Sequence, residues 1–483
     1  MSEKSLKQKA ASGMLWTALQ RYSTMFIQFV SGIILARLLT PYDYGCIGML
    51  MIFMVLAESF IDGGFGSALI QKKNPTPEDY STIFFWNLGM AVVLYAILYF
   101  VAPLIALFYD IPLLCPVLRV QGIILFIYAF NIVQRNQLQK SLNFKVLSTV
   151  TIATSVISLS VTILMAYHGF GVWSLVAQNI LFAVIPALVF WFHIRWRPIL
   201  VFSTDSFKSL FSFGSYMFLT QLTNQLSHQL RGLFIGKLYS AEIMGYYSKA
   251  QNTEKMASHS ISQIMNQVTY PLYAKVQDDR EQMQRMIRRL TTTVAFLTFP
   301  LMFILILIAK PLFILLYSEK WIESVPYFQI ICLAGLGGCL QSVNLQTISA
   351  IGKSKVMFVW ALVKQGVGLV LIIGGLLLFG MYGLLWGSVV NSWLCTFINM
   401  SLVSKHIGLS FFSQLHDLLP IAFVSVIAFG AGFLTNRQCF FDMYGNGFIS
   451  VLVFIIIYCG WIFIFKPSVY TYFLDILIKA KRR

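Results

Sequence analysis

One helix end occurs twice in this chain, first as Leu35-Ala36-Arg37-Leu38-Leu39-Thr40 and again, 200 residues later, as Ile235-Gly236-Lys237-Leu238-Tyr239-Ser240. The same shift places Gly45 on Gly245. In each copy an apolar run ends and a tight turn leads into the next run. The pattern therefore predicts two halves of similar fold, each of which contains a helical hairpin with this turn.

The composition places both halves in a membrane. Of 483 residues, 58% are hydrophobic and only 11% are charged, whereas a soluble domain is about a quarter charged. Apolar runs of roughly 20 residues or more recur, and a helix needs that length to cross a bilayer. These features exclude a water-soluble enzyme. We predict about fourteen spans, with twelve or thirteen as the alternative counts, near residues 12–37, 42–67, 80–108, 112–134, 146–167, 170–194, 209–236, 242–270, 288–317, 325–350, 356–379, 382–404, 418–435 and 446–466.

The basic residues behind the net charge of +17 are distributed according to the predicted topology. With a cytoplasmic N-terminus, 24 of the 35 Lys and Arg residues lie in inside segments and four in outside segments. This asymmetry predicts both termini in the cytoplasm. Because the basic residues are spread over many short loops, the charge does not indicate a nucleic-acid surface.

The repeat and the spans together predict the domain organisation. We expect an all-α polytopic membrane protein with two six-helix lobes, arranged as parallel pseudo-repeats, plus two C-terminal helices. The N-terminal lobe covers residues 1–207 and the C-terminal lobe 208–408, and residues 409–483 contain the last two helices and a basic tail. A cleft between two such lobes suits transport by alternating access.

The functional candidates are polar side chains inside the predicted spans, because a charge in hydrocarbon is costly unless it faces protein or water. Arg and Lys suit phosphate or diphosphate groups, and the polar stripe of span seven suits a glycan. The predicted binding residues are Arg21, Arg231, Lys249, Lys255, Lys364, Trp16, Gln221, Asn224, Gln225 and His228. The candidates for ion coupling or gating are Glu58, Asp62 and Glu254.

Each candidate also has a structural interpretation. Lys249 and Lys255 could pair with Glu254 or other acids to hold helices together, and His228 could be a satisfied interior histidine. Glu58 and Asp62 precede Gly63-Gly64, which we expect to distort the helix, so they line a path or reach interfacial water. The sequence contains no metal-ligand spacing and no nucleotide-binding loop.

Several strings in this sequence resemble the Wzx-type polysaccharide exporters of the multidrug/oligosaccharidyl-lipid/polysaccharide (MOP) superfamily. The resemblance is to the colanic-acid and teichuronic-acid exporter type and runs from about residue 10 to 410. It rests on the order and spacing of residues 35–45, Ala68-Leu69-Ile70-Gln71-Lys72-Lys73, Thr76-Pro77-Glu78-Asp79-Tyr80-Ser81-Thr82, residues 169–178, Arg195-Trp196-Arg197-Pro198, residues 270–279 and Phe299-Pro300.

The resemblance implies a MOP/MATE-like fold with a cationic central cavity. It also implies a function, movement of undecaprenyl-diphosphate-linked oligosaccharide from the cytoplasmic to the outer leaflet of the bacterial inner membrane. Relatives of this type tend to have Asp-Asn where Arg231-Gly232 stands, so the role of that acid does not carry over.

The predicted protein is a transporter, not an enzyme, and it requires no cofactor beyond a coupling ion, H⁺ or Na⁺. Its predicted partners are the lipid-linked oligosaccharide and membrane lipids, with a polysaccharide polymerase and the chain-length machinery as further candidates. We expect a monomer. The alternatives are a multidrug exporter of the same superfamily, a lipid II flippase and a membrane glycosyltransferase, polymerase or ligase.

Overall fold

The computed structural model describes residues 3–276, 279–351, 353–437 and 442–465. Within these ranges the chain forms α-helices and no β-strand. The helices are α1 (Glu3–Leu38), α2 (Pro41–Asp62), α3 (Phe65–Gln71), α4 (Pro77–Tyr109), α5 (Leu114–Gln121), α6 (Ile124–Lys140), α7 (Phe144–Tyr167), α8 (Val172–His193), α9 (Thr204–Leu238), α10 (Ala241–Lys275), α11 (Arg280–Leu307), α12 (Ala309–Tyr317), α13 (Ser324–Ala350), α14 (Ser354–Ile407), α15 (Phe411–Arg437) and α16 (Met443–Phe465).

Ten helical segments in the described ranges are long and apolar enough to cross a membrane. One of them is α14, which contains Gly380 with a non-helical backbone (φ 66°, ψ −149°) and is therefore two helices joined at that glycine. Helices α1, α9 and α10 are 35 or 36 residues long, which also exceeds the length of a bilayer span. Counting α14 twice and adding these three helices, which are not among the ten apolar segments, gives fourteen long helical segments in the described ranges.

The chain divides by its contacts into two compact units, residues 1–245 and residues 246–483. In the first unit α1 packs on α7, and α9 packs along α2, α3 and α4. In the second unit α11 packs against α13 and α15, and α15 packs against α16. The predicted lobes, residues 1–207 and 208–408, and the predicted C-terminal part, residues 409–483, are drawn from the repeat and not from contacts. This three-part division stays a prediction.

The two turns aligned by the 200-residue shift lie against each other in the first unit. Helices α1 and α9 end at Leu38 and Leu238, and α2 and α10 begin at Pro41 and Ala241. A Cβ atom added to Gly45 would lie 1.7 Å from the Ala241 carbonyl oxygen. A Cβ atom added to Gly245 would lie 1.9 Å from the Pro41 carbonyl oxygen. Each glycine thus contacts the helix start of the other turn, and the contact is reciprocal.

Two Thr-Pro-x-Asp strings start helices by the same local bonding. Thr40 and Thr76 each form a capping box, in which the threonine hydroxyl accepts from the backbone N–H of the aspartate three residues later and that aspartate accepts from the threonine N–H. Such boxes satisfy backbone donors that a helix start leaves open. Asp79 of the second box is buried and also accepts a hydrogen bond from Lys72 Nζ (2.8 Å).

The span that begins at Pro41 is interrupted, as the sequence predicts. Gly63 and Gly64 have left-handed φ angles of 52° and 76°, which separate α2 from α3. A Cβ atom on Gly64 would lie 2.0 Å from the Gly214 carbonyl oxygen of α9. Both the left-handed φ and this close approach require glycine at position 64.

Candidate functional site

The first candidates lie where α1 packs on α7. Lys145 Nζ lies 5.7 Å above the centre of the Trp16 ring, and Ser148 Oγ donates a hydrogen bond to Gln20 Oε1 (3.0 Å). The face of α1 that carries Trp16 is therefore covered by α7. Arg21 is half-buried, and its guanidinium has no hydrogen bond or ion pair with the residues described in the structure.

The two acidic candidates on α2, Glu58 and Asp62, differ in the groups that surround their carboxylates. Asp62 Oδ1 accepts a hydrogen bond from the Gly66 N–H (3.2 Å) across the interruption between α2 and α3. The Arg135 guanidinium of α6 lies close enough to act electrostatically on Asp62. Asp62 therefore stabilises the start of α3 as well as being a coupling candidate. Glu58, one turn earlier, is half-buried.

Asn136 of α6 is a polar residue outside the predicted set of site residues. It is buried, and its Nδ2 atom has no hydrogen-bond partner among the described residues. A Cβ atom added to Gly66 would lie 3.0 Å from Asn136 Nδ2 and 2.8 Å from Asp62 Oδ1. The amide and the carboxylate thus flank the same glycine. No sequence signal identifies Asn136, because it lies in a different span from Asp62.

The polar stripe of α9 is described only in part. Gln221 is exposed and Gln225 is half-buried. The side chains of Asn224 and His228 lie outside the described residues. Phe218 stacks edge-on against Phe60 of α2, with 5.1 Å between ring centres. Because α9 and α2 run antiparallel here, this pair places Gln221 near the level of Glu58.

Arg231 is the most informative candidate on α9. The residue is half-buried, and its Nε atom is fully buried with no acceptor among the residues that the structure describes. An arginine keeps its charge at any accessible pH. A buried guanidinium N–H without an acceptor is unfavourable unless a ligand or solvent supplies one.

Two lysines of the second unit are held by protein groups. Lys249 is 6% exposed, and its Nζ lies 3.9 Å from the centre of the Tyr317 ring and 5.4 Å from that of Trp321. These distances are typical of cation–π contacts. Lys364 Nζ donates to Asn399 Oδ1 (2.8 Å), a bond between the two helices of α14.

Lys255 and Glu254 are neighbours in sequence but differ in exposure. Lys255 is exposed and donates to Gln251 Oε1 (3.2 Å). Glu254 is buried, and its Oε1 atom has no hydrogen-bond partner among the described residues. Lys255 acts electrostatically on the Glu254 carboxyl.

The described residues contain no group of three or more His, Cys, Asp or Glu side chains placed to hold a metal ion. The second unit also contains a mainly apolar cavity between α11, α13 and α15. It is lined by Phe303, Ile306, Leu307, Gln329, Ile330, Leu333, Phe429, Phe433 and Asn436. None of the predicted binding residues lines this cavity.

The fold matches solved structures of membrane transporters. The lipid II flippase MurJ, in an inward-closed conformation, superposes with a TM-score of 0.74 at 16% identity, and the match covers 93% of this chain and 98% of MurJ. An inward-facing multidrug resistance MATE family transporter of the MOP superfamily gives a TM-score of 0.56 at 13% identity, with 82% and 98% of the two chains covered. These matches confirm the predicted MOP-like polytopic fold.

Sequence relatives confirm the predicted resemblance. The teichuronic acid biosynthesis protein TuaB of Bacillus subtilis (strain 168) is 26% identical over 441 residues, which cover 90% of this chain and 91% of TuaB. The lipopolysaccharide biosynthesis protein WzxC of Escherichia coli (strain K12) is 23% identical over 334 residues, covering 69% and 68%. The family model described as "Polysaccharide biosynthesis protein" matches residues 34–326. Since that match spans more than half of the chain, this protein belongs to the polysaccharide biosynthesis protein family.

Proposed function

We propose that this protein is a flippase for undecaprenyl-diphosphate-linked oligosaccharide, which it moves from the inner to the outer leaflet of the bacterial cytoplasmic membrane by alternating access. The similarity to TuaB, a teichuronic acid biosynthesis protein, and to WzxC, a lipopolysaccharide biosynthesis protein, supports a glycan as part of the cargo. The fold shared with a lipid II flippase supports a lipid-linked cargo. The asymmetry of basic residues supports cytoplasmic termini. A polysaccharide polymerase and the chain-length machinery are the proposed partners, and the protein acts as a monomer.

The observation that carries this proposal is the buried Nε of Arg231 without an acceptor among the described residues. A diphosphate supplies acceptor oxygens and compensates the charge. Arg21 is also half-buried, and its guanidinium has no bond to a described residue. We therefore assign the diphosphate first to Arg21 and Arg231. Lys249, Lys255 and Lys364 remain the further predicted cationic binding residues of this proposal.

The remaining predicted residues have supporting roles in the same proposal. Trp16 and the polar stripe of α9, Gln221, Asn224, Gln225 and His228, accommodate the glycan. Glu58, Asp62 and Glu254 are the coupling or gating carboxyls. The chain catalyses no covalent step in this proposal, because the cargo leaves with the bonds it had on entry.

The cargo is tested by deleting the gene and analysing the lipid fraction. We expect undecaprenyl-diphosphate-linked oligosaccharide to accumulate and the corresponding surface glycan to be lost. Mass spectrometry of extracted lipids identifies the glycan, and a plasmid copy of the gene should restore export. Accumulation of lipid II instead, or an unchanged lipid fraction, would contradict the proposed cargo.

The diphosphate contacts are tested by Arg21→Gln and Arg231→Gln. A hydrogen bond to a charged group contributes about 1.5–3 kcal/mol, so each variant should lower export by roughly tenfold to a hundredfold. Surface glycan is quantified in the deletion strain at equal protein level. Arg37→Gln is the control, because Arg37 lies on α1 but is exposed near its end. Normal export by the double variant Arg21→Gln/Arg231→Gln would overturn the assignment.

A further inference from the structure

A carboxyl group in the second unit is buried in surroundings that stabilise its charge only weakly. Glu254 of α10 is only 6% exposed, and its Oε1 atom has no hydrogen-bond partner among the described residues. An ionised carboxylate is expensive to bury unless donors or cations surround it, whereas the protonated acid is neutral. The surroundings therefore favour the protonated form of Glu254.

The unpartnered Oε1 atom of Glu254 lies close to the backbone of α13. A Cβ atom on Gly335 would lie 2.3 Å from Glu254 Oε1, so only glycine leaves room for the carboxyl at that position. The Met302 methyl carbon of α11 lies 3.6 Å from the same point. The unpartnered oxygen therefore lies against Gly335, and the side chain that also approaches this glycine is apolar.

The charged and titratable groups around Glu254 do not change this conclusion. Ser258, one turn along α10, hydrogen-bonds to the carboxyl, and Lys255 acts on it from an exposed position. Lys249 is held over the rings of Tyr317 and Trp321. On the facing helices, the Tyr317 hydroxyl of α12 hydrogen-bonds the Thr253 hydroxyl, Cys339 of α13 donates to the Ser258 carbonyl oxygen, and Cys332 of α13 lies near the carboxyl. Of these, Cys332 is coupled electrostatically to Glu254.

We propose that Glu254 is a proton-binding site of this transporter, loaded with a proton in the conformation of this structure. The proton comes from water when α10 and α13 separate, binds the carboxylate, and returns to water at the next separation. This step involves only a proton and no redox change. Its role in driving export rests on the proposed flippase function, but the protonation state of Glu254 does not.

The test is infrared difference spectroscopy of the purified full-length protein at neutral pH. Glutamic acid in water is ionised at that pH, so a protonated carboxyl gives a carbonyl stretching band that ionised groups lack. We expect this band in the wild type and its loss in Glu254→Gln, whose amide has nearly the same shape. We expect Glu254→Asp to keep a protonated band at a shifted frequency, which is informative if the glutamine variant does not fold.

The matched control is Glu242→Gln, since Glu242 lies on the same helix but is exposed. This variant should leave the band unchanged. A wild-type spectrum without the band, including one in which added Na⁺ keeps the carboxylate ionised, would overturn the proposal. So would an identical band in Glu254→Gln. Because none of these spectra requires transport, failure of the proton site and failure of the flippase function are separate results.

Discussion

Replacing Gly45 or Gly245 by alanine is expected to separate the two turns that lie against each other in the first unit. The added methyl group would lie less than 2 Å from a carbonyl oxygen of the opposite turn, so the backbone must move. Overpacking of this kind costs about 1–3 kcal/mol. Ordinarily, alanine in place of a helical glycine stabilises a helix by up to about 1 kcal/mol. The expected change therefore has the opposite sign from the general rule.

Cys46 reports on this contact. It follows Gly45 directly and is 0% exposed. In Gly45→Ala and Gly245→Ala we expect Cys46 to react faster with a small thiol reagent, and export of surface glycan to fall. Mass spectrometry measures the modified fraction at each cysteine. Cys332 and Cys339, which are buried in the second unit, should stay unreactive and show that the protein remains folded.

Gly89→Ala is the control for helix propensity. Gly89 lies in α4, and a Cβ atom there would have no neighbouring atom within 4 Å. This variant should be as stable as the wild type or slightly more stable, with normal export. If Gly45→Ala and Gly245→Ala behaved like Gly89→Ala, close packing of the two turns would have no role in export or stability.

Removing the Asp79 carboxylate is expected to destabilise the first unit. Its side chain is 1% exposed and accepts hydrogen bonds from Lys72 Nζ and the Thr76 N–H, both at 2.8 Å. Asp79→Ala removes a helix cap and a charged hydrogen bond, which together contribute about 2–3 kcal/mol after allowing for Lys72 reaching water. The measurement is the thermal unfolding midpoint in detergent, followed by the reaction of buried cysteines with a thiol-reactive dye.

Glu78→Ala is the matched control, because Glu78 is the preceding residue of the same helix start but is exposed. It removes a carboxylate near the helix N-terminus, which contributes a few tenths of a kcal/mol to about 1 kcal/mol. We expect its midpoint to stay close to that of the wild type. Equal midpoints for the two variants would mean that burial and the bond to Lys72 add nothing to the stability that Asp79 provides.

The helices and the matching helix ends of the repeat can be predicted from the sequence, because both depend on the order of residues that are close together in the chain. Apolar runs set the spans, and the split of α14 at Gly380 falls between two runs that the sequence already separated. The shift of 200 residues predicted matching helix ends, and α1 and α9 end at Leu38 and Leu238. The interruption at Gly63-Gly64 could be predicted because paired glycines favour left-handed backbone.

The site was predicted less completely, because its contacts join residues far apart in the chain. No local pattern shows that the Lys249 ammonium lies near the rings of Tyr317 and Trp321, or that Asn136 flanks the same glycine as Asp62. The Thr-Pro-x-Asp strings are different. Their capping boxes follow from spacing alone, because a threonine followed three residues later by an aspartate predicts where a helix begins.

The reciprocal contact of Gly45 and Gly245 has the form of an interface between two identical chains. In a two-fold homodimer the same patch meets itself, so residue i touches residue j and j touches i. Gly45 against Ala241 and Gly245 against Pro41 satisfy that relation when 200 is subtracted from the later numbers. In a dimer of half-length chains, one mutation would alter both sides of the contact at once. In the fused chain each side can change separately, so one hairpin can specialise while its counterpart keeps the original packing.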